Sequence, residues 1–421
     1  MELLIKSATI VDSSSEFNGL KKDILVVDGK IHSIENNIEK KEASVFEAKN
    51  LHVSAGWFDM RANYRDPGFE QKETIETGAK CAAAGGFTGV ALMPTTQPSA
   101  DTKSIIEYVK SKSKQLPVEI YMYGSLSKHN EGVDMAELFD MHLNGAIGFT
   151  DDKNPIRNAG LLSRALLYSK SFNGLVLVFP LDTNLTQGGE VNEGFTATTL
   201  GLKGIPLVAE NIQIERDLSI LEYTEGRLHI GPISTKTASA LVGDAKSKGL
   251  KVSCDIAAHQ IYFNDAHLNS FDSNFKVMPP LRTNEEIEGL IDGLKNESID
   301  AIASDHCPED EENKNLEFDF AAFGIIGQET AYAAANTILK DKLSVEKIIE
   351  KFCQNPRRIL NVTMPQIKVG ENANLTFFDP TLEWNFNANH IKSKSKNTPF
   401  LGMKFTGKVL GIYNKKILIK S

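Results

Sequence analysis

The sequence predicts a (β/α)8 barrel of the TIM type with a small β-domain formed by both termini. Three observations predict it. Short apolar runs alternate with amphipathic stretches through the middle of the chain, the pattern of parallel strands joined by crossover helices. Eight such units fit in roughly 300 residues, the size of this barrel. The first 50 and the last 56 residues instead read as strands and turns alone.

In chain order, residues 3–11, 23–27 and 30–34 are rich in β-branched side chains, and Asp28 with Gly29 marks a hairpin between the last two. The barrel strands are expected at the run ending on residues 57–59 and at 88–93, 118–123, 146–149, 175–179, 227–230, 251–256 and 299–303. Helical patterns at 74–84, 103–112, 159–169, 236–248 and 284–294 lie between them. A doubly wound open sheet is the alternative, but no glycine-rich GxGxxG turn follows the first strand. Residues 374–378, 407–413 and 416–419 return to strand character. The expected domains are therefore 1–50 with 366–421, and 51–365.

Composition removes several classes of function. There are 46 Lys+Arg against 55 Asp+Glu, a net charge of −9, and no long basic run, so no nucleic-acid footprint is expected. No apolar run approaches the roughly 18 residues that span a bilayer. The N-terminus alternates and meets charge at Lys6, unlike a signal peptide. Cys81, Cys254, Cys307 and Cys353 form no CxxC pair, which argues against a disulfide framework or a cysteine zinc knuckle and for a reducing cytoplasm.

Catalytic groups of such a barrel sit just past the C-terminal ends of its strands. There the chain reads RDPGF from Arg65, MPTTQP from Met93, GFTDD from Gly148, MPPLR from Met278 and ASDHCPE from Ala303, followed in the tail by NTPFLGMKFTGKV from Asn397. These segments, in this order, resemble dihydroorotase of the class in which an aspartate bridges the metals, within the amidohydrolase superfamily. The resemblance runs nearly end to end. It implies a zinc-dependent barrel that interconverts dihydroorotate and N-carbamoyl-aspartate in pyrimidine biosynthesis, with the Asp305 position as general base.

Carried over residue by residue, the metal site is degenerate. The family's His-x-His after the first strand is Arg61 and Asn63 here, its strand-five histidine is Phe179, and its strand-six histidine is Pro232. Arginine has no lone pair for a metal, and an amide oxygen is a poor zinc ligand beside imidazole. Of six ligands only Asp151, at the bridging position, and Asp305 remain, both vestigial. The substrate-binding set is also depleted. Arg65 is kept, but the two family asparagines are Thr95 and Met278, and the loop histidine is Glu309, which opposes an anionic substrate.

Each remaining residue also has a bland reading. Asp305 and His306 could simply tie barrel loops, His259 could be a structural hydrogen-bonder, and Arg65 could pair with a carboxylate. Cys307 beside His306 lacks a third group for nucleophilic work, and residues 309–314 read as a solvated loop. The expected protein is thus a metal-free, catalytically inactive homologue acting as partner or regulator of aspartate transcarbamoylase. It is expected to be cytoplasmic and homo-oligomeric, with no cofactor; zinc enters only if the family activity is retained. An active cyclic amidohydrolase with a remodelled site and a small-molecule sensor are the alternatives. Arg61 is expected to reach Asp151, Asp305 or both, replacing the metal's charge.

Overall fold

The computed structural model of the protein describes residues 2–421. Five strands open the chain: β1 (Glu2–Ile10), β2 (Lys21–Val27), β3 (Lys30–Glu35), β4 (Ser44–Phe46) and β5 (His52–Ala55). Eight more form a single parallel sheet: β6 (Trp57–Ala62), β7 (Phe87–Leu92), β8 (Glu119–Gly124), β9 (Ala146–Phe149), β10 (Val176–Val178), β13 (Leu228–Ile230), β14 (Val252–Ala257) and β15 (Ala301–Ala303). The short pair β11 (Val191–Asn192) and β12 (Gly204–Ile205) lies in the segment after β10. The tail supplies β16 (Leu375–Asn385), β17 (Lys404–Asn414) and β18 (Ile417–Lys420).

The parallel sheet runs β6-β7-β8-β9-β10-β13-β14-β15 and closes on itself through a parallel bridge between Ala62 and His306, where the Asn63 N–H donates to the His306 carbonyl at 2.8 Å. Its strands are short and apolar because both faces are covered; every residue of β6 and β7 is buried. Inside the barrel Phe58, Met60, Ala91, Met93, Tyr123, Leu177 and Ala303 belong to one apolar cluster that also takes in Leu360. Outside, helices cover the strands, several started by side-chain caps: Thr74, Asn158, Thr235 and Ser344 each accept a backbone N–H of the first turn.

The terminal strands make one mixed sheet in the order β18-β17-β16-β5-β1-β2-β3, with β4 on β1. Phe46 stacks on Phe377 at 4.4 Å in its core. β5 belongs to this sheet, paired with β1 and β16, so the barrel proper starts at Trp57 and not at residue 51. Among the described residues no helix is long and apolar enough to cross a membrane.

Candidate functional site

The C-terminal ends of the barrel strands gather a dense set of buried charges, and the pairing among them differs from the sequence expectation. Arg61 reaches neither Asp151 nor Asp305. Its Nε donates to Asp255 Oδ2 at 3.2 Å, from β6 to β14 across the barrel interior, and both side chains are buried. Gly231 makes room for this pair, since a Cβ there would meet Asp255 Oδ1 at 1.8 Å. Burial works against the Asp255 charge. Arg61 and His229, whose Nε2 lies 3.6 Å from Asp255 Oδ1, more than offset it and hold the carboxyl below its ordinary value.

The cation that meets Asp305 is Lys153, with Nζ 2.8 Å from Oδ2. Burial disfavours the Lys153 charge, yet Asp305, Cys307 and Asp152 keep its pKa above the ordinary lysine value. Burial pushes Asp305 up in turn, against the pull of Lys153 and Arg61.

Asp151 also departs from its expected place. It accepts from the Ser127 N–H at 2.9 Å and from the Ser127 hydroxyl, tying the loop after β8, and burial raises its pKa to about 6. The neighbouring Asp152 faces the mouth instead. Its Oδ2 accepts from Asn63 Nδ2 at 3.2 Å and lies 2.8 Å from the Thr95 hydroxyl, which is also 2.9 Å from Asn63 Oδ1. Arg65, Asp152 and Asp305 hold left-handed backbone with φ of 59°, 55° and 50°, a conformation that non-glycine residues adopt at a cost.

On the rim, Arg65 Nη2 donates to Glu309 Oε1 at 3.1 Å and to Cys307 Sγ at 3.2 Å, while Lys72 Nζ lies 2.5 Å from Glu309 Oε2. Glu309 and Lys314 are buried at the two ends of the segment 309–314, Asp310 is half-buried, and residues 311–313 between them are exposed as expected of a solvated segment, in a short helical turn. Asn397 from the tail motif anchors the same loop, accepting the Glu309 N–H and donating to the Cys307 carbonyl. Phe179 lies in an apolar cluster with Leu181, Ile205 and Ala209, against which Met278 packs; Pro232 is buried nearby in sequence to Ser234. His259 is buried, but both ring nitrogens lack a hydrogen-bond partner, so it is no structural hydrogen-bonder among the described residues. Burial, then Lys153, lowers its pKa to about 3.

These side chains do not fit a zinc centre. A catalytic zinc takes three or more protein ligands, and imidazole or thiolate dominates such sets. Here Asp305 is committed to Lys153, Asp255 to Arg61, and Asp152 to Asn63 and Thr95. No three His, Cys, Asp or Glu side chains converge there closely enough to hold an ion, among the described residues. Lys153, Asp152 and Asp255 were the residues that sequence reading missed. Lys153 follows the paired aspartates of GFTDD directly, and Asp255 is a lone charge inside the apolar run of β14, which were the available signals.

Residues 52–238 match the family model described as "Dihydro-orotase-like". The chain is 40% identical to the dihydroorotase of Acetivibrio thermocellus over 97% of this chain and 96% of that protein. It is also 40% identical to the dihydroorotase of Caldicellulosiruptor saccharolyticus over 99% and 98%. Among solved structures, the L-hydantoinase (dihydropyrimidinase) of Arthrobacter aurescens superposes with a TM-score of 0.87 at 24% identity, covering 100% of this chain and 96% of that one. A D-hydantoinase gives 0.83 at 21% identity, over 100% and 97%. At these identities the structural likeness concerns the barrel with its β-domain.

Proposed function

Since this chain belongs to the dihydroorotase family, we propose that it serves pyrimidine biosynthesis without hydrolysing dihydroorotate, as a partner or regulator of aspartate transcarbamoylase. One observation carries the reading: the charges of the barrel mouth are consumed by each other. Lys153 pairs with Asp305, Arg61 with Asp255, and Arg65 with Glu309. In a working site, Asp305 needs a free carboxylate to accept a proton, and Arg65 needs a free fork to hold a substrate carboxylate. A lysine ammonium on Asp305 removes the first, and Glu309 covers the second. Without a metal, no group at the mouth lowers the pKa of water or polarises the ring amide.

Phe179, Met278 and Pro232 put apolar surface where the family resemblance implies ligands and a substrate amide. The family reaction runs in both directions, so the test is turnover of dihydroorotate and of N-carbamoyl-aspartate by zinc-supplemented protein. The expected result is no rate above a protein-free blank. A rate within about tenfold of an ordinary enzyme, or about 1.4 kcal/mol in barrier, would overturn the reading. The partner half is tested by co-expression with the same organism's aspartate transcarbamoylase. A co-eluting complex supports it, and separate elution at micromolar concentration with unchanged transcarbamoylase stability removes it.

A second reading, a small-molecule sensor, draws on Arg61 Nη2, Asp152 Oδ1 and the two ring nitrogens of His259, all buried without hydrogen-bond partners. Such groups normally have partners, protein or solvent. Dihydroorotate or N-carbamoyl-aspartate raising the melting temperature without turnover favours this reading over a purely structural one.

A further inference from the structure

One residue past Asp305, His306 turns to the helix Ile75–Ala84, where Cys81 Sγ lies 4.0 Å from its Nδ1. Glu329, in the segment leading to the helix Ala331–Leu339, completes a group whose ligand atoms all lie within 4.8 Å of one another. All three side chains are buried, and among the described residues this is the one group of His, Cys, Asp and Glu so placed. Thiolate, imidazole and carboxylate donors around a tetrahedral zinc stand about 3.3 to 3.6 Å apart, given bonds of roughly 2.0 to 2.3 Å. The spacing here is within a small adjustment of that.

The surroundings have the features of a built site. The second ring nitrogen of His306, Nε2, has no hydrogen-bond partner by strict geometry but lies 3.5 Å from Glu73 Oε2. A carboxylate behind the distal nitrogen is the usual device that turns the other nitrogen toward a metal. Glu73 is itself held by the hydroxyls of Thr77 and Ser393. Glu329 Oε1 accepts the N–H groups of Lys392 and Ser393 at 2.9 and 3.0 Å, which leaves Oε2 free of those amides. Among the described residues neither Glu73 nor Glu329 has a lysine or arginine partner, and the basic group that faces Glu73 is the His306 ring. Buried carboxylates in that position recruit a counter-charge.

We propose that Cys81, His306 through Nδ1, and Glu329 bind one zinc ion, a structural ion distinct from the family's catalytic centre. Zinc suits this mixed set because it has no preferred geometry of its own and accepts sulfur, nitrogen and oxygen ligands alike. On binding, the Cys81 thiol gives its proton to solvent, and the Nδ1 lone pair exchanges the Gly327 N–H, now 3.2 Å away, for the metal. The ion joins the helix after β6, the end of β15 and the segment before residue 331, and Glu329 and Glu73 carry the link to the tail at residues 392–394.

The test uses the full-length protein, stripped of metal, given Zn2+ alone, desalted and analysed for bound metal. About one zinc per chain is expected, falling at least about tenfold in Cys81→Ala while persisting in Asp152→Asn and Asp305→Asn. Co2+ loaded into the wild type should show a thiolate-to-cobalt charge-transfer band, a readout that does not depend on whether Cys81→Ala folds. No bound zinc and no such band in the folded wild type overturn it. Zinc that survives Cys81→Ala but is lost in Asp152→Asn and Asp305→Asn also overturns it, and places the ion at the mouth, against the non-hydrolytic reading instead.

Discussion

Lys153 Nζ sits 2.8 Å from Asp305 Oδ2, so the carboxylate that the family resemblance casts as general base carries a lysine ammonium from the end of the fourth barrel strand. In the non-hydrolytic reading proposed above, the pair stands where part of a metal's charge would otherwise be. Removing one member of a buried pair leaves the other uncompensated, which costs far more than the pair itself contributes. Lys153→Met keeps the apolar stem and removes the cation. It should lower stability by about 3 kcal/mol in urea unfolding. Adding Asp305→Asn to the same chain should recover most of that loss, because the stranded charge is then gone. A single variant as stable as the wild type would mean that Asp305 finds solvent or another cation.

Glu309 holds Arg65 and Lys72 together, occupying the arginine that the resemblance assigns to a substrate carboxylate. Glu309→Gln removes one negative charge and releases both cations. Calorimetric titration with N-carbamoyl-aspartate should show binding at least about tenfold tighter than in the wild type, since like charge at a contact costs on that order or more. Turnover should stay absent in both proteins. Equal affinity in the two would show that Glu309 does not screen Arg65 from anions.

The barrel was legible because its strands are short runs of apolar residues separated by amphipathic helices, a period set by packing and not by the residues of the site. The site was legible only as a set of absences: Arg61, Asn63, Phe179 and Pro232 announce missing ligands, but not what their neighbours do instead. Which carboxylate Arg61 meets depends on the level at which β6 faces β14 across the interior, and Asp255 gives no sign of it beyond being charged within an apolar run. The choice between Asp151 and Asp152 turns on one residue at a strand end. There the left-handed φ of Asp152 sets its side chain toward Asn63 while Asp151 serves Ser127. Glu309 stands out in the sequence as a carboxylate where an anion is expected, but its two cationic partners come from a loop far away in sequence.

Asp217, in the helix Leu207–Thr224, provides a pH signature away from the mouth. Burial raises its pKa to about 6 from 3.8, with Arg216 and Gln213 opposing the shift. A folded value above the unfolded one means the folded state holds the proton more tightly. The stabilising contribution is therefore complete below about pH 4 and is lost as pH rises through about 6. Two units correspond to roughly 3 kcal/mol. Asp217→Asn cannot titrate, so its stability relative to the wild type should improve by up to that amount between about pH 4 and about pH 7. Paired chemical-denaturation curves across this range check it, and a constant difference would show that Asp217 stays ordinary.

Arg61 is the residue on which restoration of a metal site depends most directly, and its true partner changes the expected outcome. Arg61→Ala strands Asp255, a fully buried carboxylate whose other neighbour is His229 at 3.6 Å, and should cost about 3 to 5 kcal/mol in unfolding free energy. Arg61→Met with Asp255→Asn in the same chain should be clearly milder. The double variant Arg61→His with Asn63→His returns both imidazoles after the first barrel strand but should still show no zinc-dependent turnover of dihydroorotate. Phe179 and Pro232 offer no donor atom, Lys153 still holds Asp305, and the new histidine leaves Asp255 with a weaker partner than the guanidinium. The variant should therefore be less stable than the wild type as well as inactive. Zinc-dependent turnover in that variant would show that two imidazoles with Asp152 and Asp305 suffice, and that Lys153 yields its carboxylate to a metal.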